Sequence, residues 1–241
     1  MIQPVRTAAP APELEPEPRV IDDGEVLPSA LSVFLSASVP DEIARTPAAQ
    51  RVYDLLTAVV RALFAVGAEL VFGGHPTVTP LIHRLAREHQ GAPPRIALYQ
   101  LERFRAQAPP QATDTNVFTE IHWLGDPGAN LADDLAALRA PMVGRAGAAV
   151  FIAGKTAGFH GAKPGIRDEY ERFRARHPAA PVYLVGGAGG ETARIIADAA
   201  AAGADWEQNG LQPQARDLLH SADDPALVAA LIGGDLRGRD G

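Results

Sequence analysis

The chain has 241 residues, 46% of them hydrophobic, with a net charge of −7 and no cysteine. That length and apolar content suit one sizeable α/β domain rather than two. The missing cysteines exclude disulfides and thiolate metal ligands, and the acidic balance argues against nonspecific binding to nucleic acid. No apolar run is long enough to cross a membrane, so no membrane contact is expected. No charged-then-apolar leader opens the chain, which makes the cytoplasm the default expectation.

Residues 1–29 form a Pro- and Glu-rich stretch (APAPELEPEPR) without apolar periodicity, and a disordered tail is expected there. A domain follows over residues 30–233, and residues 234–241 are expected to fray. LSVFLSAS, from Leu31, has the pattern of a buried strand ending in small residues. Over residues 47–66 the apolar positions Val52, Leu55, Leu56, Val59, Val60, Leu63 and Phe64 fall on one helical stripe, which Gly67 ends. Leu70, Val71 and Phe72 form the next strand. Gly73 and Gly74 break it, and Thr77 or Thr79 can cap a helix carrying Leu81, Ile82 and Leu85. A third strand spans residues 95–99. This β-α-β-α-β run predicts a parallel sheet, hence a single doubly wound α/β domain of Rossmann-like type.

Residues 100–116 are polar and suggest a long loop. Residues 117–124 (VFTEIHWL) alternate, as a short strand or a loop wall would. A helix is expected over 130–142 with Leu131, Leu135 and Leu138 inward. AAVFIA, over 148–153, has the pattern of a fully buried strand. A glycine-rich loop spans 154–165, and a helix with Glu169, Tyr170 and Phe173 follows. The strand PVYLV leads into Gly186, Gly187, Gly189 and Gly190 and a helix over 191–202. Residues 206–223 suggest a connection, and 226–232 a short last helix.

Three glycine turns therefore sit at strand C-terminal ends: Gly73 and Gly74, Gly154 through Gly165, and Gly186 through Gly190. In a parallel sheet these ends share one rim. There, glycine backbone and helix N-termini favour an anionic ligand such as a phosphate or nucleotide. His75 sits within the first turn. Two motif matches fail. Gly154-Lys155-Thr156 resembles the end of a P-loop, but its first glycine would have to stand where Ala149 does. Gly187-Ala188-Gly189 resembles a dinucleotide fingerprint, but Thr192 takes the third glycine position, which argues against Rossmann-style NAD binding. The seven histidines form no HExxH, so neither a metal site nor a cofactor is expected. An Arg before the 148–153 strand and Glu169 after its loop suit a phosphate and a ribose hydroxyl, or general base chemistry if water reaches the carboxylate.

FGGHPTVTPLI, the Arg139-Ala-Pro-Met142 segment, AAVFIAGK, PGIRDEYERF and VYLVGGAGGETARI occur in an order that resembles the SLOG superfamily. These are Rossmann-like domains that include the Smf DNA-processing proteins and the LOG phosphoribohydrolases. The resemblance covers residues 31–202 and is nearest to the SLOG sensor domains of bacterial nucleotide-signalling conflict systems. LOG enzymes cleave the N-glycosidic bond of nucleoside monophosphates with an Arg before the strand and a Glu in a PGGxGTxxE loop. The order of motifs matches Arg139 and Glu169 to that pair. GKTAGFHGAKPGI, however, stands where the PGGxGT signature would be, and VGGAGGETAR has Ala193 at the glutamate position.

The expected function is binding and sensing of a nucleotide-derived ligand of the ADP-ribose or cyclic nucleotide class. The expected ligand-binding residues are Ser36, Gly73, Gly74, His75, Thr77, Arg139, Gly154, Gly165, Glu169, Gly186, Gly187, Gly189 and Gly190. The first alternative is LOG-like hydrolysis, with Arg139 and Glu169 catalytic. The second is a protein-interaction module, which an exposed apolar surface over 116–124 would favour. No effector-sized second domain is evident, so a sensor's output would run through a separately encoded effector protein, a change of oligomer or the tail. The resemblance implies a homo-oligomer.

Overall fold

A computed structural model describes residues 31–239; the stretch taken as a tail, 1–29, lies outside them, as do residues 240 and 241. In chain order the elements are β1 (Ser32–Ser38), α1 (Pro47–Ala65), β2 (Glu69–Gly73), α2 (Thr79–Glu88), β3 (Ile96–Leu101) and β4 (Glu120–Leu124). They continue with α3 (Leu131–Arg145), β5 (Ala148–Ala153), α4 (Gly165–Arg176), β6 (Val182–Val185), α5 (Gly190–Ala202), α6 (Pro213–Ser221) and α7 (Pro225–Arg237). The six strands form one sheet in the order β4-β3-β2-β1-β5-β6, and every pairing is parallel. The order reverses at β1, which lies between β2 and β5 and so places a switch point there.

Both faces of the sheet are covered, which is why the strands other than β4 are largely apolar rather than alternating; β4, partly exposed along its length, alternates. Side chains still alternate between the two faces. Val33 and Leu35 of β1 join the core beneath α1, α2, α6 and α7, whereas Phe34 joins the core beneath α3, α4 and α5. The predicted stripe on α1 is buried along its length. Each such Leu, Val or Phe contributes roughly 1.5–3 kcal/mol by leaving water. Thr46 starts α1 by accepting the Ala48 N–H at 3.2 Å, and Pro47 follows at a position where its missing N–H costs nothing.

Several expectations need correction. The 206–223 connection contains α6, whose Leu219 is fully buried. The last helix does not stop at residue 232 but runs to Arg237. Gly233 is buried against α1, where a Cβ would make an ordinary contact with the Ala62 methyl at 3.6 Å. Residues 234–237, expected to fray, are therefore helical. The 100–116 loop contains two short 3-10 turns, over Glu102–Gln107 and Pro110–Ala112. Neither Thr77 nor Thr79 caps α2: Val78 precedes it without a side-chain bond, and Thr77 instead pairs with His75 at 2.8 Å.

The outer edge of β6 is sealed by the segment after α5. The Val182 N–H donates to the Glu207 carbonyl at 2.6 Å, the Leu184 N–H donates to Glu207 Oε1 at 3.0 Å, and Asn209 Nδ2 donates to the Val182 carbonyl at 2.7 Å.

At the N-terminal ends of the strands, Arg145 binds Glu69 of β2 at 2.6 Å and Glu120 of β4 at 2.5 Å. It lies at the rim opposite the glycine turns and takes no part in a site there. Burial opposes ionisation of Glu69, but Arg145 and Ser32 outweigh it and hold the carboxyl below 4.5. Arg145 does the same for Glu120 against a smaller burial effect. Depressed folded values give stability that is complete above pH 4.5 and lost as the pH falls through them. The urea midpoint is expected to drop between about pH 6 and about pH 3.5, and to drop less in Arg145→Met. An equal drop in both proteins would remove this network as the cause.

Candidate functional site

A cavity of about 400 Å³ opens at the C-terminal ends of β1, β2 and β3. Period-2 alternation puts Ser36 on the same face of β1 as Phe34, directed toward α3 and α4. Residues Leu131, Leu135, Leu138, Arg139 and Met142 recur at helical spacing on α3 and line the cavity together. Asn130 fixes the start of that helix by accepting the Asp133 N–H at 3.0 Å. The start of α4 contributes Gly165, Ile166 and Glu169, and the preceding loop contributes Lys155, Phe159 and His160. Arg103 ties the 3-10 turn after β3 to buried Asp134 of α3 at 2.6 Å, which holds Phe104 at the mouth, 48% exposed.

The polar centre is a three-element cluster. Ser36 Oγ donates to Glu169 Oε2 at 2.5 Å, and Arg139 Nε donates to Glu169 Oε1 at 3.3 Å. Arg139 Nη1 donates to Asp168 Oδ2 at 3.0 Å, and Arg172 donates to the same oxygen at 3.0 Å. Burial pushes the Glu169 carboxyl above its ordinary value, against the opposing pull of Arg139 and Ser36. A carboxyl raised in this way is poised to exchange a proton, and both its oxygens already have partners. Burial also lowers the His75 imidazole, with Lys155 adding to the effect and Asp41 opposing it, so the ring is uncharged at neutral pH. Tyr99 stacks on His122 with ring centres 4.4 Å apart and closes the β3 side.

Residues 48–212 match the SLOG cluster3 family. The chain belongs to that family. Comparison with curated proteins gives no match. Among solved structures, this SLOG cluster3 protein is similar to the X-ray structure of TM1055, a structural genomics target, with a TM-score of 0.53 and 17% identity over 84% of this chain and 99% of that one. At that identity the likeness establishes a common fold. The SLOG resemblance and the Rossmann-like parallel fold expected from the sequence both hold.

The SLOG fold brings part of the predicted site together. Ser36, Gly73, Gly74, His75, Arg139, Gly165 and Glu169 all line the cavity. Thr77, Gly154, Gly186, Gly187, Gly189 and Gly190 do not. Gly186, Gly187 and Gly190 of the third glycine turn are used for packing. The Gly186 N–H donates to the Leu219 carbonyl at 3.4 Å, and a Cβ on Gly187 would stand 1.9 Å from the Ala222 carbonyl oxygen. Gly190, at φ +69°, lets the α5 terminus approach Gly154, whose carbonyl accepts the Glu191 N–H at 3.0 Å. Sequence reasoning missed Lys155, His160, Phe104, Gln100 and the apolar wall of α3 as lining residues. Of these, only the leucine stripe of α3 left a periodic signal. Among the described residues no cluster of acidic and histidine side chains suits a metal, and no helix is long and apolar enough to cross a membrane. Residues 116–124 are not an exposed apolar surface: Phe118 is buried and β4 pairs along its length with β3.

Proposed function

We propose that this SLOG protein binds a nucleotide or nucleotide-derived small molecule in the cavity beside the β1 switch point and acts as its sensor. The observation that carries this reading is the Ser36–Glu169–Arg139 cluster at the floor of a cavity whose other wall is apolar. The wall made by Phe104, Leu131, Leu135 and Leu138 suits a planar base, and the cluster suits ribose hydroxyls, with Glu169 accepting and Arg139 balancing the charge of that carboxylate. Backbone at Gly73, Gly74 and Gly165 leaves room for close approach. Gly186, Gly187 and Gly190 are left out of this assignment because they pack against α5, α6 and the Ala153–Gly154 backbone, and Gly189 because it does not line the cavity. Output through self-association or a separately encoded effector protein belongs to the same proposal.

A second reading, hydrolysis of an N-glycosidic bond, is supported by the raised Glu169 carboxyl lining the cavity. In it Glu169 would take a proton from water while Arg139 holds a phosphate. The engagement of both Glu169 oxygens, by Ser36 and Arg139, favours binding without turnover.

The test is thermal stability against AMP, ADP-ribose, NAD, cyclic ADP-ribose isomers and cyclic dinucleotides, with each mixture analysed by chromatography for free base. A ligand at about a hundred times its dissociation constant should add about 2.7 kcal/mol. For a sensor, the ligand is recovered intact, and Glu169→Gln weakens binding by about tenfold through one lost charge-assisted hydrogen bond. Released base that disappears in Glu169→Gln would establish the hydrolase instead. No stabilisation and no base across the panel would overturn both.

A further inference from the structure

We propose that Lys155 and Asp41 form a charge gate at the cavity mouth, which selects a ligand carrying one anionic group. This rests on the nucleotide-binding reading above and deepens it. Two lysine or arginine side chains line the cavity, Arg139 and Lys155. Arg139 is already committed: Asp168 and Glu169 flank it, and all three side chains are largely buried. It offers little net positive charge to an incoming phosphate.

Lys155 differs. Its Nζ lies 2.9 Å from Asp41 Oδ2, and the Asp41 side chain is 66% exposed. Exposed pairs of this kind are worth roughly 0–1 kcal/mol, so the ammonium changes partner easily. The same ammonium acts on His75, whose uncharged ring adds no positive charge of its own. The loop carrying Lys155 lies along the segment carrying Asp41: Thr156 Oγ1 donates to Glu42 Oε1 at 3.3 Å, and a Cβ on Gly158 would stand 3.9 Å from Asp41 Oδ2. Asp41 thus holds the place that a ligand anion takes. When the ligand enters, Lys155 exchanges the Asp41 carboxylate for the ligand's anionic group. With one exchangeable cation among the described lining residues, a second phosphate gains no comparable partner.

The experiment is calorimetric titration of the full chain with adenosine and with adenosine 5′-monophosphate. The intact protein is expected to favour the monophosphate by about tenfold, as one charge-assisted contact supplies. Lys155→Met should bring the two affinities to within about threefold, with the monophosphate losing more than adenosine, because methionine keeps much of the stem's packing and removes the charge. Asp41→Asn should tighten monophosphate binding severalfold and leave adenosine unchanged. Equal affinities in the intact protein, a preference that survives Lys155→Met, or no gain in Asp41→Asn would each overturn the gate while leaving nucleotide binding in place. If neither probe binds the intact protein, the gate fails, and the binding reading is then decided by the wider nucleotide panel.

Discussion

Replacing Arg139 with methionine is expected to lower the unfolding free energy by about 3 kcal/mol, the low end for a buried ion pair that loses one partner, because Glu169 is left without a cation while Asp168 keeps Arg172. Arg139 is 8% exposed and Asp168 7%, and the guanidinium reaches both Asp168 and Glu169. Methionine keeps much of the packing along α3 beside Leu135 and Met142, so the loss reports the charge rather than a cavity. Urea denaturation should show the midpoint falling with an unchanged slope. Adding Glu169→Gln to Arg139→Met should restore part of the loss, since the stranded carboxylate is then gone. The protein that remains folded should no longer respond to nucleotides. A loss below about 1 kcal/mol would mean that the three side chains are solvated, as exposed ion pairs are.

Gly187→Ala separates packing glycines from site glycines. The new methyl would stand 1.9 Å from the Ala222 carbonyl oxygen and 2.4 Å from its carbon, and both are backbone atoms that cannot rotate away. Overpacking of this kind costs about 1–3 kcal/mol, and backbone displacement at the α6 terminus brings it to the top of that range. Nucleotide affinity of the folded fraction is expected to stay within about twofold, because the residue lies outside the cavity. Gly74→Ala should behave differently. Its methyl would meet Cγ of the buried Gln100 at 2.8 Å, beside the cavity, and that side chain is held by its bond to the Ala112 carbonyl, so affinity falls together with stability. Thermal melts with and without ligand measure both. Loss of binding in Gly187→Ala at unchanged stability would return the third glycine turn to the site.

The fold was legible because its strongest signals are local. The apolar runs of β1, β2, β5 and β6 and the stripe on α1 leave few alternatives once parallel crossovers are assumed. Ser36 and Glu169 could be anticipated as neighbours from strand-end position and motif order, but their bond depends on how α4 lies over the sheet, which no spacing encodes. α6 escaped notice because residues 213–221 carry too short an apolar pattern: Leu218 is 46% exposed, and Leu219 alone is buried. The end of α7 was misplaced because Gly233 and Gly234 look like a stop in isolation, whereas the buried Ile232 and Leu236 on either side carry the helix through them. Lys155 was passed over with the failed P-loop match, and its significance depends on Asp41, 114 residues away. Gly186 and Gly187 looked like a phosphate turn because a glycine run does not say whether a ligand or another stretch of the same chain fills the space.

The sealed edge of β6 has a consequence for assembly. Glu207 and Asn209 occupy the hydrogen-bonding positions that a seventh strand would need, so addition of a strand on that side is blocked. Among the described residues no comparable cover lies over the outer edge of β4. Any sheet shared with a second copy would therefore have to join through β4 alone. A join that uses the same single edge of both partners is self-limiting: it closes into a pair and leaves no end from which a fibre could grow.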